Sequence, residues 1–401
     1  MQFSPFKPSY YLYHMIARKI SAEVKKQVGK YPVITITGPR QSGKTTLIKQ
    51  LFAQLPYFSL EDPDLRASIE QDPRGFFQQY GHRVVLDEVQ RLPILLSYIQ
   101  GIVDSDKESL FVLSGSHNML MMESVTQTLA GRTTIFYLLP LSYEELQSSL
   151  PASTTALDLV WRGGYPRIYD HDLEVNRFYR DYLTTYVQRD VRLVKNVGDL
   201  DAFTQFLGIC AGFIGQTLNK NTLASAAGVT RATVDSWLSV LQTTFVTYQL
   251  PPYFKNFKKR LVKSPKLYFR DTGLACALLG LSSPEILFTY YQKGALFENF
   301  ILNEVVKAFY NRGEHPPIYF WRDSKQHEID LLLDMDGKLH PVEIKSSATY
   351  RKDFFDQLEW FKEVAQVPLS QATVIYGGEE DRTISHNRLI SWKNCDQLVE
   401  T

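Results

Sequence analysis

Apolar and polar positions change their spacing along the chain, and each change predicts a different architecture. From Tyr31 the β-branched run Val33-Ile34-Thr35-Ile36-Thr37 leads into a glycine loop, Gly38 to Thr45, and then into Leu47-Ile48-Lys49-Gln50-Leu51-Phe52, whose apolar residues recur at helical spacing. The reading is strand, loop, helix. Further strands are predicted at Tyr57 to Leu60, Arg83 to Leu86, Leu110 to Leu113 and Thr134 to Leu138, with helical patterns between them. Strands alternating with helices predict an α/β core around a parallel sheet with both faces covered.

Beyond Pro140 the pattern turns helical. Tyr143 to Gln147 and Asp172 to Val187 read as helices, and Gly163-Gly164-Tyr165-Pro166 as a sharp break between them. Phe203 to Leu250 is helix-rich, and Leu223 to Val234 has the small-residue helix, glycine turn and polar helix start of a helix-turn-helix. Lys255, Lys258, Lys259, Arg260, Lys263, Lys266 and Arg270 follow with no acid among them, as a basic hairpin wing would. From Ala295 the order is helix (295–309), strand (318–321), strand (328–333), a turn at Asp336-Gly337, strand (339–344), helix (350–365) and strand (372–376). These shifts predict four units: an α/β core over 1–140, a helical connector over 141–199, a winged-helix or helix-turn-helix domain over 200–285, and a small αβββαβ domain over 286–401.

Composition narrows the partners. A chain of 401 residues is long for one compact domain, and 44 Lys plus Arg against 43 Asp plus Glu leave a net charge of +1. Any polyanion must therefore be held by a local patch. Cys210, Cys276 and Cys395 lie far apart without a CxxC pair, which excludes a cysteine-rich zinc site and predicts reduced thiols. Met1 to Tyr13 lacks the apolar core of a secretory signal, and no stretch approaches the roughly 18 apolar residues of a membrane span. A cytoplasmic protein with no membrane partner is expected.

The chemistry concentrates in the glycine loop. Gly38-Pro39-Arg40-Gln41-Ser42-Gly43-Lys44-Thr45 fits G-x-x-x-x-G-K-[ST], a loop whose backbone N–H groups close around phosphate oxygens at a helix N-terminus. Gly38, Gln41, Ser42, Gly43, Lys44, Thr45 and Thr46 are the expected nucleotide contacts, with Lys44 on the β and γ phosphates and Thr45 on Mg²⁺. The apolar strand Val84-Val85-Leu86 ends in Asp87-Glu88. Asp87 is expected to hold Mg²⁺ through water and Glu88 to orient the attacking water, an arrangement of hydrolases more than of small-molecule kinases. The expected ligands are thus ATP and Mg²⁺. After Leu113-Ser114-Gly115, either Ser116 or Asn118 is a candidate phosphate sensor, the alternative being an ordinary polar turn. Arg132 is a candidate arginine finger acting in cis or from a neighbouring subunit, or else a surface arginine; action from a neighbour requires a homo-oligomer.

With these motifs in place, the sequence resembles a known family. The loop Gly38 to Thr46, Leu86-Asp87-Glu88-Val89-Gln90, Leu113-Ser114-Gly115-Ser116, Leu129-Ala130-Gly131-Arg132, Gly163-Gly164-Tyr165-Pro166, and Lys263 to Phe269 with Asp271-Thr272-Gly273-Leu274 are similar to the bacterial and archaeal AAA-superfamily ATPases whose C-terminal half is a domain of unknown function. The resemblance covers nearly the whole chain. It implies a P-loop ATPase core, then a winged helix and a nuclease-like domain.

Two further elements bear on DNA. Thr230, Arg231, Thr233 and Ser236 are the polar positions of the second helix of the helix-turn-helix that would face a major groove, whereas Val234, Trp237, Leu238 and Leu241 form its core face. The basic run would neutralise phosphates, or else protect an edge strand. Asp271 reads as the N-cap of the next helix. In the C-terminal unit, period-two alternation puts Glu343 and Lys345 on one face, and an Asp-Gly hairpin brings Asp330 beside Glu343. This arrangement is similar to the PD-(D/E)XK nucleases. That similarity implies Mg²⁺ on Asp330 and Glu343, Lys345 as the group that positions water, Glu298 as an accessory acid and Gln357 as an accessory polar residue. His327 reads as a satisfied surface histidine.

Two functions compete. One is an ATP-hydrolysing protein acting on DNA, with a metal-dependent nuclease domain. The other is a slow nucleotide-operated switch with a protein partner, an inert nuclease-like fold and a helix-turn-helix used for packing.

Overall fold

The computed structural model describes residues 16–116, 125, 127–191, 199–254, 263–365 and 367–400, with side chains omitted for 188–190. Five strands, β1 (Val33–Thr37), β2 (Tyr57–Ser59), β3 (Arg83–Asp87), β4 (Leu110–Gly115) and β5 (Thr133–Tyr137), form one sheet in the order β2-β3-β4-β1-β5. Every pairing in it is parallel. The unbroken apolar runs follow from this geometry, because each central strand is buried on both faces. Val84, Leu86, Phe111 and Leu113 pack into one core, and Val85, Leu110, Val112, Ile34 and Ile36 into the core on the other side.

The helices between the strands use local signals that periodicity alone did not resolve. Asp62-Pro63 and Asp72-Pro73 each place a capping carboxylate before a proline at the first helical position, starting Pro63–Gln71 and Pro73–Tyr80. An additional helix, Ser21–Gln27, packs Val24 under the sheet.

After β5 the helices Ala156–Arg162, Pro166–Asp170 and Val175–Thr185 make up the connector. The segment expected to form a helix-turn-helix folds as the helices Leu200–Gly212, Lys220–Ala227 and Arg231–Thr243. Asn219 caps the second helix, Gly228 ends it at φ 64°, and the Thr230 hydroxyl accepts from Thr233 N at 3.1 Å to cap the third. Val234, Trp237, Leu238 and Leu241 are buried as expected. An antiparallel pair, β6 (Thr247–Leu250) and β7 (Lys266–Phe269), follows. Lys255, Lys258, Lys259 and Arg260, the middle of the basic run, lie outside the described residues, as do His117 and Asn118.

The C-terminal unit opens with the helix Lys293–Asn311 and builds a six-stranded sheet in the order β12-β13-β11-β10-β9-β8. Its strands are β8 (Ile318–Arg322), β9 (Glu328–Met335), β10 (Lys338–Lys345), β11 (Thr373–Tyr376), β12 (Arg382–Ile384) and β13 (Asn387–Ser391). Asp336 and Gly337 take φ 51° and 74°, the two-residue hairpin turn predicted for them. The helix Asp356–Val364 then crosses over so that β11 lies parallel to β10. β12 and β13 extend the sheet beyond the predicted αβββαβ order.

The units after residue 140 share one core. A single apolar cluster runs from Leu139 through Phe178, Phe206, Trp237, Phe269 and Phe297 to Leu398. The chain leaving β6 also pairs with β8, where Phe320 N donates to Pro251 O at 3.1 Å and Tyr253 N donates to Phe320 O at 2.8 Å. All three cysteines are buried and free. Among the described residues, no helix is long and apolar enough to cross a membrane.

Candidate functional site

The glycine loop leaves β1 at the C-terminal edge of the sheet, the edge at which parallel sheets present their sites. Gly38 has φ 154°, and a Cβ there would stand 2.1 Å from Leu138 O, so only glycine lets the loop pass β5. Gly43, at φ 94°, precedes the helix Lys44–Leu51. The Lys44 ammonium is buried and donates to Gly38 O at 2.9 Å and Pro39 O at 2.8 Å. Ser42 Oγ and Gln41 Oε1 are buried polar atoms without a hydrogen-bond partner. Buried polar groups ordinarily find partners; the Ser42 hydroxyl can donate to a phosphate oxygen held by the loop, and Gln41 Oε1, an acceptor, can take a hydroxyl or amino donor of a nucleotide.

Asp87 ends β3 beside the loop. Its Oδ2 accepts from Thr45 Oγ1 at 2.8 Å and from Tyr57 OH at 2.5 Å; its Oδ1 accepts from Glu88 N at 3.1 Å and from Ser114 Oγ. Burial and the hydrogen bond to Asp87 push the Tyr57 phenol well above its ordinary range. The phenol thus stays protonated and remains a donor. Thr45 and Asp87, the two residues expected to serve Mg²⁺, already touch. Tyr57 and Ser114 escaped the sequence reading, since only the strand order β2-β3-β4 places them on either side of Asp87.

Glu88 takes φ 59°, a left-handed conformation costly for a non-glycine residue. Its Oε2 accepts from Gln90 Nε2 and, at 3.3 Å, from Ser116 Oγ. The candidate base and the candidate sensor are therefore neighbours.

Arg132 lies elsewhere. It precedes β5, its carbonyl accepts from Val33 N at the start of β1, and its guanidinium grips Asp104 at 2.7 and 2.9 Å. With about 3.3 Å per strand residue, that is on the order of 15 Å from the loop, at the opposite edge of the sheet. It does not serve its own chain's site in cis, because the parallel register of β1 and β5 sends it to the wrong end.

Other residues do reach the loop. Arg18 donates to Ser42 O and to Leu139 O, both at 2.7 Å, and pairs with Glu145 at 3.0 Å. Pro166 Cγ stands 3.8 Å from the point where a Gly43 Cβ would lie. A cavity of about 460 Å³ opens there, lined by Gln41, Arg167, Phe178 and Tyr182 among others. Pro166, at the end of the break Gly163-Gly164-Tyr165-Pro166, thus stands beside the loop. Each glycine of the break is required by a close neighbour: a Cβ on Gly163 would fall 2.0 Å from Tyr179 OH and 2.5 Å from Asp271 Oδ1, and one on Gly164 2.5 Å from Leu141 O. Asp271 caps its helix through Leu274 N at 2.9 Å, as expected, and also accepts from Gly164 N at 2.8 Å and Tyr179 OH at 2.7 Å.

The C-terminal carboxylates gather, but with cations among them. Asp330 Oδ2 accepts from Ile344 N at 2.9 Å, and Lys345 Nζ lies 2.5 Å from Glu343 Oε2, so β9 and β10 bring Asp330, Glu343 and Lys345 together. Glu298 instead accepts from Lys266 Nζ at 3.0 Å and from Tyr268 OH, both on β7. Lys266 also pairs with Glu328 at 2.5 Å. Burial pushes the Glu298 carboxyl up to about 7 against the pull of Lys266, with Asp330 and Glu328 adding to the rise. Burial, then Asp330, also raises Glu343. Burial works against the charge on Lys266, yet Glu298, Glu328 and Asp330 hold its proton above the usual lysine range. Among the described residues, no three His, Cys, Asp or Glu side chains are arranged to hold a metal ion. The expected set of Glu298, Asp330 and Glu343 is therefore not assembled as ligands, because an ammonium sits against Glu298. Lys266, expected in the basic run and in the motif Lys263 to Phe269, is buried. Gln357 is exposed, and His327 is stacked on Trp360 and bonded to Asp323 at 3.1 Å.

Residues 30–147 match the family model of an AAA domain, and residues 153–285 and 293–395 match two domains of unknown function, DUF8612 and DUF4143. Uncharacterized proteins of Mycobacterium bovis and Mycobacterium tuberculosis are each 30% identical over 338 residues, which cover 83% of this chain and 74% of theirs. Among solved structures, a Walker-type ATPase of Pyrococcus abyssi aligns at TM-score 0.47 and 14% identity over 68% of this chain and 99% of its own. A signal-transduction ATPase with a tetratricopeptide repeat sensor from Pyrococcus horikoshii aligns at TM-score 0.23 and 14% identity, over 74% of this chain and 47% of its own.

Proposed function

This chain belongs to the family of the two mycobacterial proteins, with an AAA domain in its N-terminal part, and we propose that it binds and hydrolyses ATP and applies the cycle to DNA. The observation that carries the ATPase reading is the Thr45–Asp87 hydrogen bond beside the buried Lys44, with Glu88 and Ser116 adjoining. In this reading the loop N–H groups bind the phosphates, and Lys44 exchanges its carbonyl partners for phosphate oxygens. Thr45, and Asp87 through water, would hold Mg²⁺, which would neutralise phosphate charge. Glu88 orients the attacking water, and Ser116 reports the γ-phosphate to it. Lys44→Ala should abolish nucleotide binding without unfolding the chain; unchanged ATP turnover in that variant would refute the assignment.

The DNA reading rests on the capped third helix, Arg231–Thr243, with Arg231 exposed at its start. A helix so placed suits a major groove, and neutralised phosphates make such binding fall with salt. The test is ATP hydrolysis with and without short duplexes at low and moderate salt, following both products. DNA-stimulated turnover supports this reading. An unresponsive, slow turnover supports the second one, a nucleotide-operated switch with a protein partner and a C-terminal fold that does not cut. The Lys266 ammonium against Glu298 favours that second reading for the C-terminal unit. Arg132, ion-paired far from its own loop, would reach a phosphate only in another copy, so its role as a finger requires a homo-oligomer.

A further inference from the structure

The carboxylate cluster of the C-terminal unit is suited to a cation, and the chain supplies one. Lys266 Nζ, on a side chain 2% exposed, lies 3.0 Å from Glu298 and 2.5 Å from Glu328. Tyr268, on the same face of β7, donates to the same oxygen of Glu298. Arg322 approaches Glu328 at 3.4 Å, and Lys345 holds Glu343. Among the described residues, four carboxyl groups, counting Asp330, thus face three cations. A divalent ion entering here would meet buried ammonium groups in a medium that screens poorly, where like charges repel strongly.

Lys266 is also fixed in place. Leu267, Tyr268 and Phe269 are fully buried, and β7 pairs with β6. The helix that carries Glu298 grips the β7 backbone as well: Asn299 Oδ1 accepts from Phe269 N at 2.8 Å, and Phe269 O accepts from Asn299 at 2.8 Å and Asn303 at 2.9 Å. The lysine and its strand are held by one helix, so the strand cannot withdraw without breaking both sets of contacts.

We infer that Lys266 is the resident cation of this cluster, its charge beside Glu298 and Glu328 keeping a divalent ion out, and that the cluster clasps the unit carrying the helix Arg231–Thr243 to the C-terminal sheet. It deepens the second reading above for the C-terminal unit and is independent of ATP turnover. The test is Mn²⁺ titration of the nucleotide-free full chain, with free ion read by electron paramagnetic resonance, for the wild type, Asp330→Asn and Lys266→Met. Wild type and Asp330→Asn should bind alike, any weak uptake at Thr45 and Asp87 being common to both. Lys266→Met leaves four carboxylates against two cations and should gain a site at least tenfold tighter than any in the wild type. A wild-type site lost in Asp330→Asn, or Mn²⁺-dependent DNA cutting lost in that variant, would overturn the inference. So would a folded Lys266→Met chain with no added site. Should Lys266→Met not fold, the comparison of wild type with Asp330→Asn still decides. ATP turnover enters none of these readouts, so failure here is separable from failure of the ATPase assignment.

Discussion

Asp271 shows how much one side chain carries. It accepts from a helix N-terminus, from Gly164 beside the nucleotide loop and from Tyr179, and it is almost fully buried. Asp271→Ala removes a cap and strands two buried donors, so a loss of about 3 kcal/mol is expected, combining a cap worth roughly 1 with unsatisfied donors. Chemical unfolding measures it; a loss below about 1 kcal/mol would deny the residue its bridging role. Glu298 gives a pH signature. Its carboxyl is raised from 4.5 to about 7 by burial, offset by Lys266 and Tyr268 and reinforced by Asp330 and Glu328. A raised folded value means that the folded state binds the proton more tightly than the unfolded chain does. The associated stability is present below pH 4.5 and is lost as pH rises through about 7. Glu298→Gln should flatten that part of the stability profile between pH 5 and 7.5, as read from denaturant midpoints. Residues of this kind were half legible. The motif around Lys44 named its own roles, and Asp271 announced itself as a cap, but nothing local in Lys266 separates a buried ion-pair partner from a surface lysine.

At the scale of elements, the sequence is most informative where the cause is local. The β-branched run of β1, the Asp336-Gly337 turn and the Gly228 turn each determine a backbone conformation within a few residues, and each forms where predicted; Thr230, read as a groove-facing position, spends its hydroxyl on a helix cap. What spacing does not carry is strand order. The pairing of β1 with both β4 and β5 sends Arg132 to the edge opposite the phosphate loop, and β2 beside β3 brings Tyr57 to Asp87. The helix Arg231–Thr243 offers a test at this scale. Arg231→Ala should weaken duplex binding and reduce the salt slope by about one, leaving basal ATP turnover unchanged. An unaltered slope would assign the helix to packing.

Across the whole molecule, the residues after β5 behave as one body. Besides the shared apolar cluster, Glu304 accepts from Tyr143 N at 2.6 Å, and the buried Lys307 donates to Leu141 O at 2.8 Å, tying the helix Lys293–Asn311 to the exit of the ATPase core. A chain cut at residue 286 should therefore not give two folded halves. Limited proteolysis and calorimetry of the full chain should find the region from 139 to 398 melting in a single transition, and an independently stable 286–401 fragment would contradict this. Composition shifts distinguish one motif from the next along the sequence. They could not reveal that those motifs share a core, because burial between distant segments leaves no periodic mark on either.

That shared core also dictates when the protein can finish folding as it is made. Phe206, Trp237 and Phe269 belong to an apolar cluster that also takes in Phe297 and Phe300 of the later helix Lys293–Asn311, and Trp392, Cys395 and Leu398 complete it. While the ribosome is still adding the last sheet, the helix-turn-helix must wait with unburied surface, the state in which nascent chains aggregate or recruit chaperones. The parallel nucleotide sheet, whose strands end with β5, has no such delay and can close first.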